Sequence, residues 1–162
     1  MMVFFVSFMM DDNVESAGNT VHILNHEGSG SGSYAHLTTN DSVRHIVNHP
    51  AFNGFGQILL PRDNDTSYYD KPLNNIRSLL PYHTHVDPGI VVSAINYMID
   101  EISDGQTIFY DFYTHPQKQE DPSKKFTGLF FFRGDPGAPF AIVCPGGGFA
   151  YVGSLHEGFP HA

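Results

Sequence analysis

The chain has 162 residues, 41% of them hydrophobic, which is enough to bury the core of one domain of ordinary size. Its 17 acidic and 8 basic residues give a formal charge of −9, which disfavours nucleic acid and anionic membrane surfaces as partners. The single cysteine, Cys144, excludes an internal disulfide and a four-cysteine zinc site.

The first ten residues are apolar except for Ser7, but no Lys or Arg precedes them, and Asp11 and Asp12 follow directly. A secretory signal usually begins with basic residues, and a membrane span needs about 20 apolar residues. We therefore interpret this stretch as a packing segment of a cytoplasmic protein that does not cross a membrane, with a degraded signal peptide as the alternative. The Gly/Ser-rich stretch at 27–33 has the composition of a flexible linker and ends an N-terminal extension over 1–33.

Residues 34–105 predict a helical and irregular arm. Polar residues at 39–42 offer N-cap side chains to a short amphipathic helix, which ends at Pro50 and presents Val43, Ile46 and Val47 on one face. The stretch 51–86 lacks periodicity, and three prolines interrupt it. Its apolar side chains need a surface to cover, and they are Phe52, Phe55, Ile58, Leu59, Leu60, Leu79 and Leu80.

The clearest helix of the chain follows this irregular stretch. Asp87 is a suitable N-cap, Pro88 suits the first turn, and Gly105 can end the helix. One apolar stripe faces the core and consists of Val91, Val92, Ile95, Met98, Ile99 and Ile102.

Residues 106–162 predict the beginning of an α/β domain. Strand-like patterns cover 107–113, 127–133 and 140–144. The third of these is almost wholly apolar, as in a strand from the middle of a mostly parallel sheet covered by helices.

Three consecutive glycines, at 146–148, follow this third strand. Glycine permits positive φ and close approach of the backbone, so such a loop can aim several N–H groups at one anionic oxygen. The Gly-x-Gly-x-x-Gly pattern of dinucleotide-binding folds and the Gly-Lys-Ser/Thr pattern of phosphate-binding loops are both absent. The glycines alone leave a plain tight turn open as the alternative.

The segment 140–151, Phe-Ala-Ile-Val-Cys-Pro-Gly-Gly-Gly-Phe-Ala-Tyr, resembles the His-Gly-Gly-Gly strand and loop of α/β-hydrolase esterases and lipases. Residues 156–160, His-Glu-Gly-Phe-Pro, are similar to the start of the next helix in acetyl-esterase and dienelactone-hydrolase-like members. Pro145 stands where the family usually has His, which leaves the backbone donors intact. The resemblance implies that the three predicted strands are the first three of the hydrolase sheet, with a fourth lying between the second and the third.

By the same resemblance, Gly147 and Gly148 supply oxyanion-hole N–H groups. Phe149, Tyr151 and His156 are candidate substrate contacts, although a histidine at a helix entry is more often structural. Ser154 and Glu157 match a capping box, with a later start of the helix near Gly158 as the alternative.

The nucleophile motif Gly-x-Ser-x-Gly does not occur in this sequence. The resemblance therefore implies the N-terminal portion of a serine carboxylic-ester hydrolase that is inactive alone. We expect no cofactor and no metal. The expected substrate is a small ester, such as an acetylated sugar or alcohol, and a homo-oligomer is the expected form of self-association.

Two other classes of function remain open. His83, His85 and Asp87 form a His-x-His-x-Asp pattern, which is typical of some metal-dependent hydrolases, although Pro88 occupies the place of a further ligand. His45 and His49 have helical spacing but lack the Glu of a zinc-protease motif, which favours a partly exposed helix face. A non-catalytic interaction module would use the aromatic arm at 51–86 to bind a partner or to form a dimer. In the hydrolase hypothesis the same arm covers or shapes the mouth of the active site, and Tyr68, Tyr69, Tyr82 and His83 are then substrate contacts or, as the alternative, packing residues.

Overall fold

A computed structural model describes residues 4–7, 32–60, 66–79, 85–137, 139, 141–145 and 153–161. These residues form a mixed α/β structure. Its α-helices and strands are β1 (Phe4–Ser7), α1 (Val43–Val47), α2 (Pro88–Ser103), β2 (Phe109–Tyr110), α3 (His115–Glu120), β3 (Leu129–Phe130) and β4 (Ala141–Val143). Short 3₁₀ helices span Pro50–Phe52, Gly56–Leu59, Leu73–Leu79 (interrupted by a kink at Asn75), Pro122–Phe126 and Phe159–His161, and a π-helical turn spans Ser154–Gly158.

Helix α1 begins after Ser42, whose backbone N–H donates to Nδ1 of His45 at 3.0 Å. Val43 and Ile46 are fully buried, and the short amphipathic helix predicted from the sequence is confirmed. Just before the helix, the Asp41 carboxylate accepts hydrogen bonds from the backbone N–H and the hydroxyl of Thr38, at 2.7 and 2.8 Å.

These bonds make the stability of the α1 start dependent on pH. They stabilise the ionised form and lower the pKa of Asp41 below its ordinary value. The ionised carboxylate therefore favours folding above the pKa that it has in the unfolded chain, and this contribution is lost as the pH falls through the lower folded value. We expect Asp41→Asn to flatten the acid limb of a stability curve measured by urea unfolding. An unchanged acid limb would contradict this role.

Helix α2 is capped as the sequence predicts. The Asp87 carboxylate accepts from the backbone N–H groups of Gly89 and Ile90, at 2.7 and 3.2 Å. Gly105 adopts a φ of 80° and donates its N–H to the carbonyl of Ile102 at 3.0 Å, which ends the helix. The predicted stripe faces the core: Ile102 is partly buried, and the buried members are Val91, Val92, Ile95, Met98 and Ile99.

The described apolar side chains of the irregular arm are buried in the core of this chain, which is one of the two surfaces that the sequence left open, the other being a partner. Phe55 is half-buried, and the buried members are Phe52, Ile58, Leu59 and Leu60. Leu80 and the side chain of Leu79 lie outside the described residues. Phe55 stacks on Phe109 of β2 with ring centroids 4.9 Å apart, so the hydrophobic core continues from the arm to the sheet.

The sheet has the strand order β2-β3-β1-β4. β2 and β3 are antiparallel. β1 lies between β3 and β4, parallel to the former and antiparallel to the latter. The stretch predicted as an N-terminal packing segment thus contributes an inner strand.

The prediction that 140–144 is a buried central strand of a mostly parallel sheet is wrong for the described part of the chain. β4 lies at the edge of the sheet, and its one neighbour there is the antiparallel β1. Ala141 is exposed, and Ile142 is 55% exposed. The apolar composition indicated a strand with two neighbours, whereas the structure provides one.

No helix in the described portion is long and apolar enough to cross a bilayer. Of the predicted linker at 27–33, the structure describes Gly32 and Ser33, and both are exposed and without regular secondary structure. Residues 27–31 lie outside the described residues.

Candidate functional site

The candidate site is the connection between β4 and the helical turn at 154–158. On its first side, Val143 packs against the core, and Cys144 is exposed. The predicted oxyanion-hole residues Gly147 and Gly148 lie in the stretch 146–152, outside the described residues. The same holds for the predicted substrate contacts Phe149 and Tyr151, so these four positions stay predictions.

At the C-terminal end of the connection, the described chain resumes at Gly153, and the turn that follows is packed into the core. The carbonyl of Gly153 accepts from the N–H groups of Glu157 and Gly158, at 2.7 and 3.2 Å. Leu155 and Phe159 are each 2% exposed. The Phe159 ring packs on Phe130 of β3, with centroids 5.0 Å apart. Both ends of the glycine connection are therefore held by the core.

His156 lies within the buried turn at only 6% exposure. Gly153 permits the close approach of its neighbours, because a Cβ at this position would lie 3.1 Å from Cε1 of His156 and 2.9 Å from Oε2 of Glu157. This burial favours a structural role for His156 over direct contact with substrate.

The predicted Ser154–Glu157 capping box is wrong. Ser154 lies inside the turn, the N-cap position belongs to Gly153, and no side-chain cap bond forms. Ser154 is 1% exposed, and its Oγ has no hydrogen-bond partner in the part of the chain that the structure describes.

A buried hydroxyl without a partner destabilises the fold. We therefore expect Ser154→Ala to raise the free energy of unfolding by about 1 kcal/mol, because the substitution removes the desolvation penalty and leaves the packing nearly unchanged. Urea unfolding measures this difference, and Ser103→Ala is the control, because the Ser103 hydroxyl donates to the Ile99 carbonyl at 2.8 Å and its loss should not stabilise. A destabilised Ser154→Ala would show that the hydroxyl does have a partner.

His45 and His49 were predicted to share a partly exposed helix face, and this prediction is wrong. His45 is exposed, but His49 is 8% exposed and lies beyond the end of α1. Its Nε2 lies 2.9 Å from the carbonyl of Ala35, and its Nδ1 accepts from the N–H of Ala51 at 3.3 Å. Both ring nitrogens are thus engaged by the backbone, and a non-local carbonyl explains the burial of His49.

Two of the three residues of the alternative metal site, His85 and Asp87, lie in the described part of the chain. Asp87 caps α2, His85 is exposed, and His83 lies outside the described residues. Among the residues that are described, no group of three or more His, Cys, Asp or Glu side chains could hold a metal ion. Tyr68 and Tyr69, candidate substrate contacts of the arm, are buried and serve packing, while Tyr82 is not described.

The pairing of Phe4–Ser7 with β4, the strand that leads into the glycine connection, was not predicted from the sequence. The run of Val and Phe at 3–6 has strand composition and was the available signal. A search of protein-family models, curated proteins and solved structures finds no match to this chain.

Proposed function

We propose that this chain supplies the oxyanion-hole portion of a serine carboxylic-ester hydrolase. The observation that carries the proposal is the order of elements around the three glycines. A strand, β4, leads directly into the connection, and the chain then enters the buried turn Ser154–Gly158. A glycine connection held at both ends can present fixed backbone N–H groups, as an oxyanion hole requires.

The order of the sheet is compatible with the proposal. The first two strands of the proposed hydrolase sheet, β2 and β3, are antiparallel neighbours. The third, β4, is separated from β3 by one strand position, which β1 fills in the direction opposite to β4. The proposal therefore rests on the glycine connection and not on the sheet.

In the proposed mechanism, this chain contributes only hydrogen-bond donors that stabilise negative charge in the transition state. A serine outside this chain attacks the carbonyl carbon of a small ester and passes its hydroxyl proton to a base that also lies outside the chain and later protonates the leaving oxygen. The carbonyl oxygen gains negative charge as the C–O double bond becomes single. The N–H groups of Gly147 and Gly148 donate to this oxygen, and each such donor is worth about 3 to 4 kcal/mol in the transition state. Collapse of the tetrahedral intermediate expels the alcohol and leaves an acyl-enzyme, which water then hydrolyses.

The test is ester hydrolysis with p-nitrophenyl acetate. The 162-residue chain alone should show no turnover that a serine-directed inhibitor suppresses, and Gly148→Pro should not differ from it. A polypeptide that joins this chain to a serine-hydrolase segment containing Gly-x-Ser-x-Gly should show inhibitor-sensitive turnover. Inhibitor-sensitive turnover by the chain alone, well above the Gly148→Pro control, would contradict the proposal.

A further inference from the structure

A cavity of about 720 Å³ lies on the arm, away from the glycine connection in sequence. Its walls come from the loop at 47–58, which follows α1, and from Lys125 of the short helix Pro122–Phe126. This volume falls within the range of small-molecule sites.

Three primary amides line the cavity and are available to a ligand. Asn48, Asn53 and Gln57 are exposed, and none of their side chains makes a hydrogen bond within the described part of the chain. Each amide offers donors and an acceptor. Such groups match neighbouring hydroxyls, which also donate and accept.

The charge of the cavity is opposite to that of the chain. Its lining contains Lys125 but no Asp or Glu, in a chain with a net charge of −9. Lys125 has no ion-pair partner among the described residues. The neighbouring Lys124, in contrast, lies 3.9 Å from the carboxylate of Asp121 and 5.4 Å from the ring centroid of Tyr113. An ammonium that no described carboxylate pairs with, in an acidic chain, favours a ligand with one negative charge.

The remaining wall is apolar, and its partly exposed surface is the ring of Phe55, backed by the buried Phe52 and Ile58. A Cβ on Gly56 would lie 2.4 Å from the carbonyl oxygen of Val47, so the backbone is closely packed there. A preformed wall lowers the entropy lost on binding. A bare phosphate would leave the apolar wall and most of the amides unused.

We propose that this cavity binds a sugar acid, with the ring against the apolar wall, the hydroxyls on the three amides and the carboxylate on Lys125. This site is separate from the glycine connection, and binding of a sugar acid there does not depend on ester hydrolysis. It assigns the irregular loop 47–58 a function in binding in addition to its packing.

The test uses the 162-residue chain, ¹⁵N-labelled and titrated with galacturonate, galactose and acetate. Galacturonate should shift the amide signals of 47–58, and galactose should bind about tenfold more weakly because it lacks the charge-assisted bond. Acetate should not produce these shifts, because it lacks the ring and the hydroxyls. Equal affinities for galacturonate and galactose, or no shifts in 47–58, would overturn the proposal.

Matched variants locate the charge. Lys125→Gln should weaken galacturonate binding about tenfold while galactose binding stays unchanged. Lys124→Gln, one residue away but engaged with Asp121 and Tyr113, should leave both affinities unchanged. Asn53→Leu should weaken both sugars. Equal effects of the two lysine variants would contradict the assignment, and unchanged spectra outside the cavity would show that each variant is folded.

Discussion

Phe130→Ala should lower the free energy of unfolding by about 3 to 5 kcal/mol, the range for removing a fully buried aromatic ring. Phe130 is 0% exposed. Its ring contacts Phe109 at 4.9 Å, Phe159 at 5.0 Å and Phe55 at 6.0 Å between centroids. The side chain thus joins the sheet, the turn after the glycine connection and the arm, and its loss leaves a cavity among all three.

The matched control for this variant is Phe112→Ala. Phe112 is 37% exposed, and its ring packs on Tyr113 with centroids 4.6 Å apart. Its truncation leaves no enclosed cavity among core residues, so the cost should be clearly smaller than that of Phe130→Ala. Urea unfolding of both variants gives the comparison. Equal losses for the two would contradict a core centred on Phe130.

Phe5→Pro should abolish the pairing of β4 with the rest of the sheet. Phe5 lies opposite Phe130 of β3 and opposite Val143 of β4. Proline removes an N–H donor and is tolerated poorly in an inner strand. Because β1 is the one neighbour of β4 in the described sheet, we expect hydrogen exchange in Ala141–Val143 to accelerate about tenfold or more.

Phe5→Val is the matched control, because it shortens the side chain, keeps the backbone N–H and suits a strand. Its exchange rates in β4 should stay much nearer to wild type. The amides of α2 should remain protected in both variants, since that helix is held by its own hydrogen bonds and buried stripe. Unchanged protection of β4 in Phe5→Pro would show that β1 does not hold it.

Local signals explain why the helices could be predicted. The Asp87 cap, Pro88 in the first turn and Gly105 after the end act over one or two turns, so the sequence itself contains the bounds of α2. The apolar periodicity of α2 also identifies its buried face. For the irregular arm, apolar content indicated burial correctly, but not the three short helices.

The sheet could be predicted only in part, because strand pairing depends on distant residues. The order of the strands required knowledge that Phe4–Ser7 inserts between β3 and β4. An apolar strand such as Ala141–Val143 has the same sequence pattern in the middle of a sheet as at an edge. For the same reason, the burial of His49 depends on the distant carbonyl of Ala35, which spacing within α1 does not indicate.

The candidate site was identified from composition and resemblance, while its surroundings needed coordinates. The glycines at 146–148 indicated an anion-binding loop. The anchoring of Phe159 on Phe130 and the burial of His156 are tertiary contacts. These contacts hold the C-terminal end of the glycine connection. A sequence motif does not indicate them, because they join residues that are distant in the sequence.

The most direct measurement of the proposed function is the turnover number of a polypeptide that joins this chain to a serine-hydrolase segment containing Gly-x-Ser-x-Gly. If the N–H of Gly148 is an oxyanion donor, as proposed, Gly148→Pro should reduce kcat for p-nitrophenyl acetate by about 100- to 1000-fold. Gly32→Pro, in an exposed segment where an added Cβ would meet no atom within 4 Å, should leave kcat unchanged. A kcat of Gly148→Pro equal to that of Gly32→Pro, with both proteins folded, would contradict the assignment of an oxyanion hole to this chain.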